Sequence, residues 1–452
     1  MKSSPYITRY FIFLLTFFLL IAVVNSTVDP FGFFNLIRIN GFNSPKTEIR
    51  KKDKLLKAVL VSRIRPEAVV LGSSRVAAGL NPDHPALRDY FPRYNLAIDG
   101  PDIYIIRRYL QHALANSVLK EVVIGLDFFA FNVRGKGYGT APVIDQSLSV
   151  YPDGTRNLGF TKTVVTTTLF SLSAVSSAWH TLRDAPGFTG ATTEPATGAK
   201  EFYFNGQRID LAHETEDRKI IAVLQSLGRN ILISKRFAQI ERILLKRYLA
   251  GSQGEYFLEQ GGRSSLDELR RIIRMCRNHG VDLRLFVSPV HARLLEVIRN
   301  TGLWPVYEQW KRELVRVASG DPDRGEPPVP IWDFSGYNTV TTEDVPAGRP
   351  LMKYYYDSSH YRQGVGDMIL DRIFGREKEK SRLPADFGRP LTADSVERVL
   401  ETIRMEQENY RKTHLKDVRE IEWLARSANI DRKRFRLVGG SRPVGGRMIG
   451  RM

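Results

Sequence analysis

Cysteine is nearly absent: Cys276 is the only one among 452 residues, so no intramolecular disulfide can form. Lying in a predicted helix, it reads as a small core residue rather than a nucleophile. Paired cysteines and His-x-x-x-His spacings are also missing, so no metal site is expected and no cofactor is implied. There is no internal repeat. Acidic residues are the scarcer charge, 49 Asp+Glu against 67 Lys+Arg, which leaves a formal charge of +18. A surplus of that size attracts anionic surfaces such as nucleic acid, lipid headgroups or an acidic polymer.

One apolar run stands out, Phe11 to Val24. It is shorter than the roughly 20 residues that span a bilayer, but Tyr6, Ile7, Tyr10 and Val28 extend it. Lys2 and Arg9 precede it and the next basic residue is Arg38, which predicts a cytoplasmic N-terminus and an exported remainder. Cleavage after Val24-Asn25-Ser26 is the rival reading. The bulky valine and Asn25 make a poor small-residue cleavage pattern, which favours an uncleaved signal anchor. Either way the expected location is the inner (cytoplasmic) membrane, single-pass, with the main domain on the periplasmic, extracytoplasmic side. Nucleic acid is then no partner, and an acidic polysaccharide or the membrane surface fits the charge better.

The chain divides into an anchor (1–28), a linker with a helix (29–66), the first half of a sheet domain (67–127), an insertion (128–262), the second half (263–375) and a helical extension with a basic tail (376–452). The helix after Pro45 buries Ile49, Leu55, Leu56, Val59 and Leu60, and Lys51, Lys52, Lys54 and Lys57 read as its solvated face. Strands are predicted at Ala68–Leu71, Tyr94–Ile98, Glu121–Asp127, Val281–Val287 and Pro330–Phe334. Between them lie helical patterns, the pattern of a parallel α/β sheet covered on both faces. In the insertion that rhythm is lost. Gly135–Gly139, Thr166–Thr168 and Thr189–Thr193 read as loops, while Lys219–Leu227 and Ser234–Leu249 read as amphipathic helices. In the extension a long charged helix to about Arg426 is expected, then a glycine-containing end punctuated by arginines from Arg432 onward that reads as disordered.

The strand Ala68–Leu71 ends in Gly72-Ser73-Ser74-Arg75, which delivers hydroxyls to the carboxyl edge where open α/β sheets bind ligands. Asp357-Ser358-Ser359-His360 follows the last strand of the same sheet. The carboxylate can fix the imidazole tautomer, and the imidazole can take the serine proton, so Ser74, His360 and Asp357 form a candidate triad. Gly100, in a βα turn, is either a turn glycine or a donor to an oxyanion. His291, at a helix start on the same edge, is a cap or a substrate contact. Arg75 is a candidate charge for an anionic substrate, Ser73 is the alternative nucleophile, and Asp127 ends the third strand.

A strand ending in Gly-x-Ser and a late Asp-x-x-His resemble the SGNH, or GDSL-type, hydrolase superfamily across residues 66–127 and 264–375. That resemblance implies a three-layer α/β/α, flavodoxin-like fold with a five-stranded parallel sheet. It assigns Ser74 as nucleophile, Gly100 as oxyanion donor and Asp357 with His360 as the last block. The family's third block is Gly-x-Asn-Asp, whereas this chain has Gly125-Leu126-Asp127-Phe128, with no asparagine at that place. With a membrane anchor, the chain is similar to SGNH-like proteins of teichoic acid D-alanylation and of alginate and exopolysaccharide O-acetylation. Those work beside a membrane-bound O-acyltransferase as acyl donor, with a polysaccharide acceptor. The expected function is serine-based acyl transfer or esterase action on cell-surface polysaccharide. The alternative is an inactive member of that fold that binds or organises polysaccharide.

Overall fold

The apolar strand runs converge on one sheet in the computed structural model of the chain. It describes residues 5–133, 142–209, 233–250, 258–260, 262–320, 325–346, 352–376 and 383–439, with Lys219, Ala222 and Val223. The expected loop at Gly135–Gly139, most of the expected helix at Lys219–Leu227 and the last arginines of the tail lie outside these residues.

The N-terminal helix α1 (Pro5–Val28) is the one helix among the described residues long and apolar enough to cross a membrane. Helix α2 (Asp53–Ile64) closes at Arg65, which is left-handed ahead of Pro66. There follow β1 (Ala68–Leu71), α3 (Ser74–Gly79), β2 (Arg93–Asn95), α4 (Ile103–Asn116) and β3 (Glu121–Leu126). The insertion carries α5 (Pro142–Gln146), α6 (Phe160–Thr168), α7 (Leu172–Asp184), a meander of β4 (Gly190–Thr193), β5 (Lys200–Phe204) and β6 (Gln207–Ile209), and α8 (Ile233–Ala250). The short pair β7 (Glu259–Gln260) and β8 (Arg263–Ser264) leads into α9 (Ser265–Asn278), β9 (Asp282–Val287), α10 (Ala292–Asn300), α11 (Trp304–Ala318) and β10 (Ile331–Asp333). Last come α12 (Gln363–Ile373), β11 (Arg389–Pro390), α13 (Val396–Thr413) and α14 (Leu415–Gly439).

The main sheet has the order β11-β10-β9-β3-β1-β2, six strands where five were expected. The pairs from β2 through β10 are parallel, and β11 adds an antiparallel edge against Trp332 and Asp333. This extra strand comes from the extension, where Leu391 N–H then donates to the Ile331 carbonyl at 2.9 Å. Strand side chains alternate between two cores. Val69, Leu71, Val122, Ile124, Leu283 and Leu285 join the core of α2, α4, α9 and α11, while Val70, Val123 and Phe286 join that of α3 and α12. Burial on both faces explains why the sequence reads as continuous apolar runs. From β1 the chain steps to β2 on one side and later to β3 on the other. The strand order therefore reverses beside β1, and the crevice at such a reversal is the usual ligand site of open α/β sheets.

Four expectations are corrected in the flanking parts. Lys57 is fully buried rather than solvated: its ammonium donates to the carbonyls of Asn95, Ala97 and Gly198 at 2.7–3.3 Å. Burial pushes its pKa down to about 8. Thr166–Thr168 ends α6, its hydroxyls bonding back to carbonyls three or four residues earlier. Gly190–Thr193 is a strand paired antiparallel with β5, the register running from Gly190 opposite Tyr203 to Thr193 opposite Lys200. The turn of that meander docks on the edge strand β2, where Asn95 N–H donates to the Thr197 carbonyl at 2.7 Å. Covering the edge in this way blunts its tendency to pair with other chains. The extension is part of the core, contributing Val399, Leu400, Ile403, Tyr410 and Ile421 to it. Helix α14 runs through Arg432 to Gly439, where a disordered end was expected.

Candidate active site

The turn after β1 is built for a close approach. Gly72 has φ +148°, and a Cβ there would stand 2.5 Å from Val76 Cγ2 and 3.0 Å from the Gly125 carbonyl oxygen of β3. Ser73 caps α3, its hydroxyl accepting from Arg75 N–H at 3.2 Å, and it is buried. Ser73 is therefore structural, and Ser74, the first residue of α3, is the serine exposed to the site. As a first-turn residue, Ser74 has a backbone N–H without an intrahelical acceptor.

The distant partner segment reaches Ser74 because α3 and α12 meet backbone to backbone. A Cβ on Gly366 would lie 1.8 Å from the Gly79 carbonyl oxygen, and one on Gly79 would lie 2.0 Å from the Tyr361 ring. Residues Tyr354–Arg362 form a narrow loop, closed by Tyr356 N–H to the His360 carbonyl at 2.9 Å and Arg362 N–H to the Tyr354 carbonyl at 2.8 Å. At its tip the Asp357 carboxylate accepts the N–H groups of Ser359 and His360, both at 2.9 Å. An acid three residues before the histidine thus folds back on the loop that carries both.

The geometry that results is continuous. Ser74 Oγ lies 2.9 Å from His360 Nε2. His360 Nδ1 lies 2.9 and 3.1 Å from the two oxygens of Asp357. Asp357 is fully buried, which alone would raise its pKa, yet His360 and the Arg236 guanidinium outweigh burial and hold it well below the usual carboxylate range. An ionised aspartate here keeps the imidazole proton on Nδ1 and leaves Nε2 to accept from the serine.

Arg236 was not foreseen. It comes from α8 in the insertion, is 1% exposed, and donates to Asp357 Oδ2 through Nη2 at 2.8 Å and Nε at 3.2 Å. Its Nη1 is buried with no hydrogen-bond partner among the described residues, and Arg236 lines the cavity that holds Ser74. That cavity, about 90 Å³, is also lined by Arg50, Asp99, Lys200, Phe202 and His360. It adjoins a cleft of about 870 Å³ with which it shares Ala78, Lys200 and Phe202. Its two arginines are ion-paired, Arg38 with Glu194 at 2.9 Å and Arg208 with Glu201 at 2.9 Å, and Asp83 and Lys200 line it as well.

The remaining sequence candidates take other roles. Arg75 is buried, ion-paired with Asp127, and donates to the carbonyl and hydroxyl of Ser359 at 3.1–3.2 Å. It ties the serine turn, the end of β3 and the histidine loop together and presents no charge to a substrate. Asp127 is correspondingly buried as the partner of Arg75, away from the Ser74 cavity. His291 is fully buried and caps α10: its Nδ1 accepts from Arg293 N–H at 3.3 Å and its Nε2 meets the Glu343 carbonyl at 2.7 Å. It packs against Phe237 and Tyr355, and burial pushes its pKa down to about 4. Gly100 sits at the same edge with φ +62°, next to Asp99 of the cavity wall. Cys276 is buried, and burial pushes its thiol up to about 12. No model of a known protein family matches the chain, and no characterised protein matches it either.

Proposed function

We propose that the protein is a membrane-anchored serine acyltransferase or esterase of SGNH type, working on O-acyl groups of an extracytoplasmic polysaccharide. The observation that carries this reading is the chain of contacts from Ser74 Oγ through His360 to buried Asp357, each link 2.9 Å. His360 Nε2 takes the proton of Ser74 as Oγ bonds to the acyl carbonyl carbon. Collapse of the tetrahedral species breaks the bond to the leaving oxygen, which takes the proton back from Nε2, and the acyl group stays on Ser74. An acceptor hydroxyl then repeats the sequence in reverse, passing its proton to Nε2 while Ser74 leaves. The Ser74 N–H, the Gly100 N–H at the same edge and the unpartnered Nη1–H of Arg236 are the candidate donors to the oxyanion, in a site without the asparagine of the resembling family.

The wide polar cleft beside the cavity supports a carbohydrate acceptor, since paired arginines and carboxylates suit sugar hydroxyls better than a second strong charge. By the same resemblance, a membrane-bound O-acyltransferase supplies the acyl group, and the domain lies on the extracytoplasmic side. Hydrolysis of p-nitrophenyl acetate by the wild type, lost in Ser74→Ala and kept in Ser73→Ala, is the expected result. Activity that survives Ser74→Ala refutes it. A wild type with no turnover on any acetyl ester gives way to the second reading, a non-catalytic polysaccharide-binding protein.

A further inference from the structure

Where α1 ends, two segments leave large apolar side chains in the open that the proposed chemistry does not use. One is the loop from Leu36 to Phe42, and the other is the turn between α6 and α7. Helix α1 has 24 residues, about 36 Å at 1.5 Å per residue, against a hydrocarbon core of about 30 Å. Roughly 20 residues counted from Pro5 reach the far boundary of that core near Asn25. At that level Asn25 Nδ2 donates to the carbonyls of Leu169 (2.8 Å) and Ser171 (3.2 Å), which pins the α6–α7 turn to the helix. The Phe170 ring then packs edge-on against Phe18, centroids 6.2 Å apart. Phe18 lies seven residues closer to the N-terminus, about 10 Å along the axis, so Phe170 points down the helix into the bilayer side.

The exposed residues continue from there. Leu172 is 66% exposed, and Trp179, two helical turns along the same face of α7, is also 66% exposed. At the same end of α1, Asn43 Nδ2 donates to the carbonyls of Thr27 (3.0 Å) and Ile37 (2.7 Å), holding Leu36 and Ile39, both more than half exposed, at the helix end. From Gly154 to Arg183 the sequence has no acidic residue, while Arg156, Lys162 and Arg183 are basic, Arg183 being paired with Asp184 just beyond the stretch. Apolar side chains with a tryptophan, basic residues and no carboxylates are the composition of a surface that lies among lipid headgroups. Continuity with α1, whose Val23 and Val24 are exposed at the same level, makes lipid the occupant rather than a protein.

We propose that the α6–α7 turn and the Leu36–Phe42 loop enter the interface of the bilayer that α1 crosses, and so hold the domain on the lipid in one orientation. This rests on α1 spanning the membrane and not on the serine chemistry. It has a consequence for access. Arg38, between exposed Ile37 and Ile39, lines the large cleft, so the cleft opens beside the lipid surface.

The test uses the full chain in phosphatidylglycerol–phosphatidylcholine vesicles. With Cys276→Ala as background, bimane is attached at Leu172→Cys, at Trp179→Cys, and at Met405→Cys on α13 as an exposed control. The expected result is quenching of the 172 and 179 labels by doxyl-labelled lipid with shielding from iodide, and the reverse at 405. Equal iodide quenching at all three sites overturns the proposal. So does shielding at 172 and 179 that appears in native membranes but not in pure lipid, since that pattern means a protein covers the face. Unchanged melting temperatures of the labelled variants confirm that folding is intact, and the two sites read the same surface independently.

Discussion

Replacing Arg236 by methionine separates two effects that a single guanidinium combines in this site. The change keeps an unbranched side chain in the buried slot of α8 but removes both donors to Asp357 Oδ2. Asp357 Oδ1 keeps the Ser359 and His360 amides and His360 Nδ1, so the carboxylate is not stranded. Breaking a buried ion pair by removing one partner costs about 3–5 kcal/mol, and the surviving bonds place this case near about 3 kcal/mol. The melting temperature falls accordingly. The second effect is on proton affinity. With Arg236 gone, Asp357 no longer divides its charge between two cations, and the acid limb of kcat/KM moves to higher pH by about one unit, the size of effect a charge within ~4–6 Å exerts. Arg236→Lys restores the limb toward its original position but not the full stability, because an ammonium lacks the fork that meets one oxygen through two N–H groups. Measuring Tm and the pH profile on all three proteins decides the matter. A destabilised Arg236→Met with an unmoved acid limb would show that Arg236 packs the insertion without tuning the triad. No change in either would refute the role altogether.

Three further outcomes follow from particular contacts. Gly72→Ala forces a Cβ to 2.5 Å from Val76 Cγ2 at a φ that L-residues avoid; stability falls by about 2–3 kcal/mol and esterase activity is lost as Ser74 shifts, read by calorimetry and turnover. Lys57→Met leaves the carbonyls of Asn95, Ala97 and Gly198 without their buried donor. Relief of the buried ammonium, which titrates at about 8, offsets part of that, so about 2 kcal/mol is lost, together with protection of the β4–β5 turn in hydrogen exchange. The buried histidines contribute to acid stability with a definite sign: His112 and His291 are held neutral by burial down to about 4, whereas unfolded imidazoles protonate near 6.5. Only the unfolded chain gains those protons as the pH falls through that window, so the contribution of each histidine to stability falls there by about 1.4 kcal/mol per unit. Below it, the depressed Asp357 adds a further loss as the pH falls through its folded value. Glu121 and Asp367, which burial raises to about 8 and about 7, work in the opposite sense over the same range, so the histidine contribution is read as the stability difference between the wild type and His112→Gln or His291→Gln from pH 7 to 4, and a difference that stays constant contradicts it.

What could be read from the chain, and what could not, divides along physical lines. Parallel strands buried on both faces leave continuous apolar runs, so Ala68–Leu71, Glu121–Leu126 and Asp282–Val287 were legible, as were the polar groups at their ends. Ser74 and His360 follow from that edge logic. Residues whose role depends on a partner from another element were not legible. Arg75 beside an exposed serine reads as a substrate charge until Asp127 and Ser359 close around it. Lys57 has the spacing of a solvated face, and only the meeting of β2 with the insertion supplies carbonyls to its ammonium. Arg236 had no sequence signal, being one arginine in a charged amphipathic helix. Gly79 and Gly366 did carry one: a glycine within a short helix and a glycine early in another mark the close crossing that joins the two halves of the site. The threonine-rich stretch at Gly190–Thr193 looked irregular because its pairing with β5 skips over a turn rather than following a simple two-residue hairpin.

The central claim is that Ser74 is a nucleophile activated by His360. A fluorophosphonate reacts with such a serine whatever the natural acyl group, so intact mass after exposure of the full-length protein tests the claim directly. The account predicts a single adduct, mapped to the peptide that contains Ser74, absent in Ser74→Ala and strongly slowed in His360→Ala. An unmodified wild type, or an adduct on Ser73 or another residue, would contradict it.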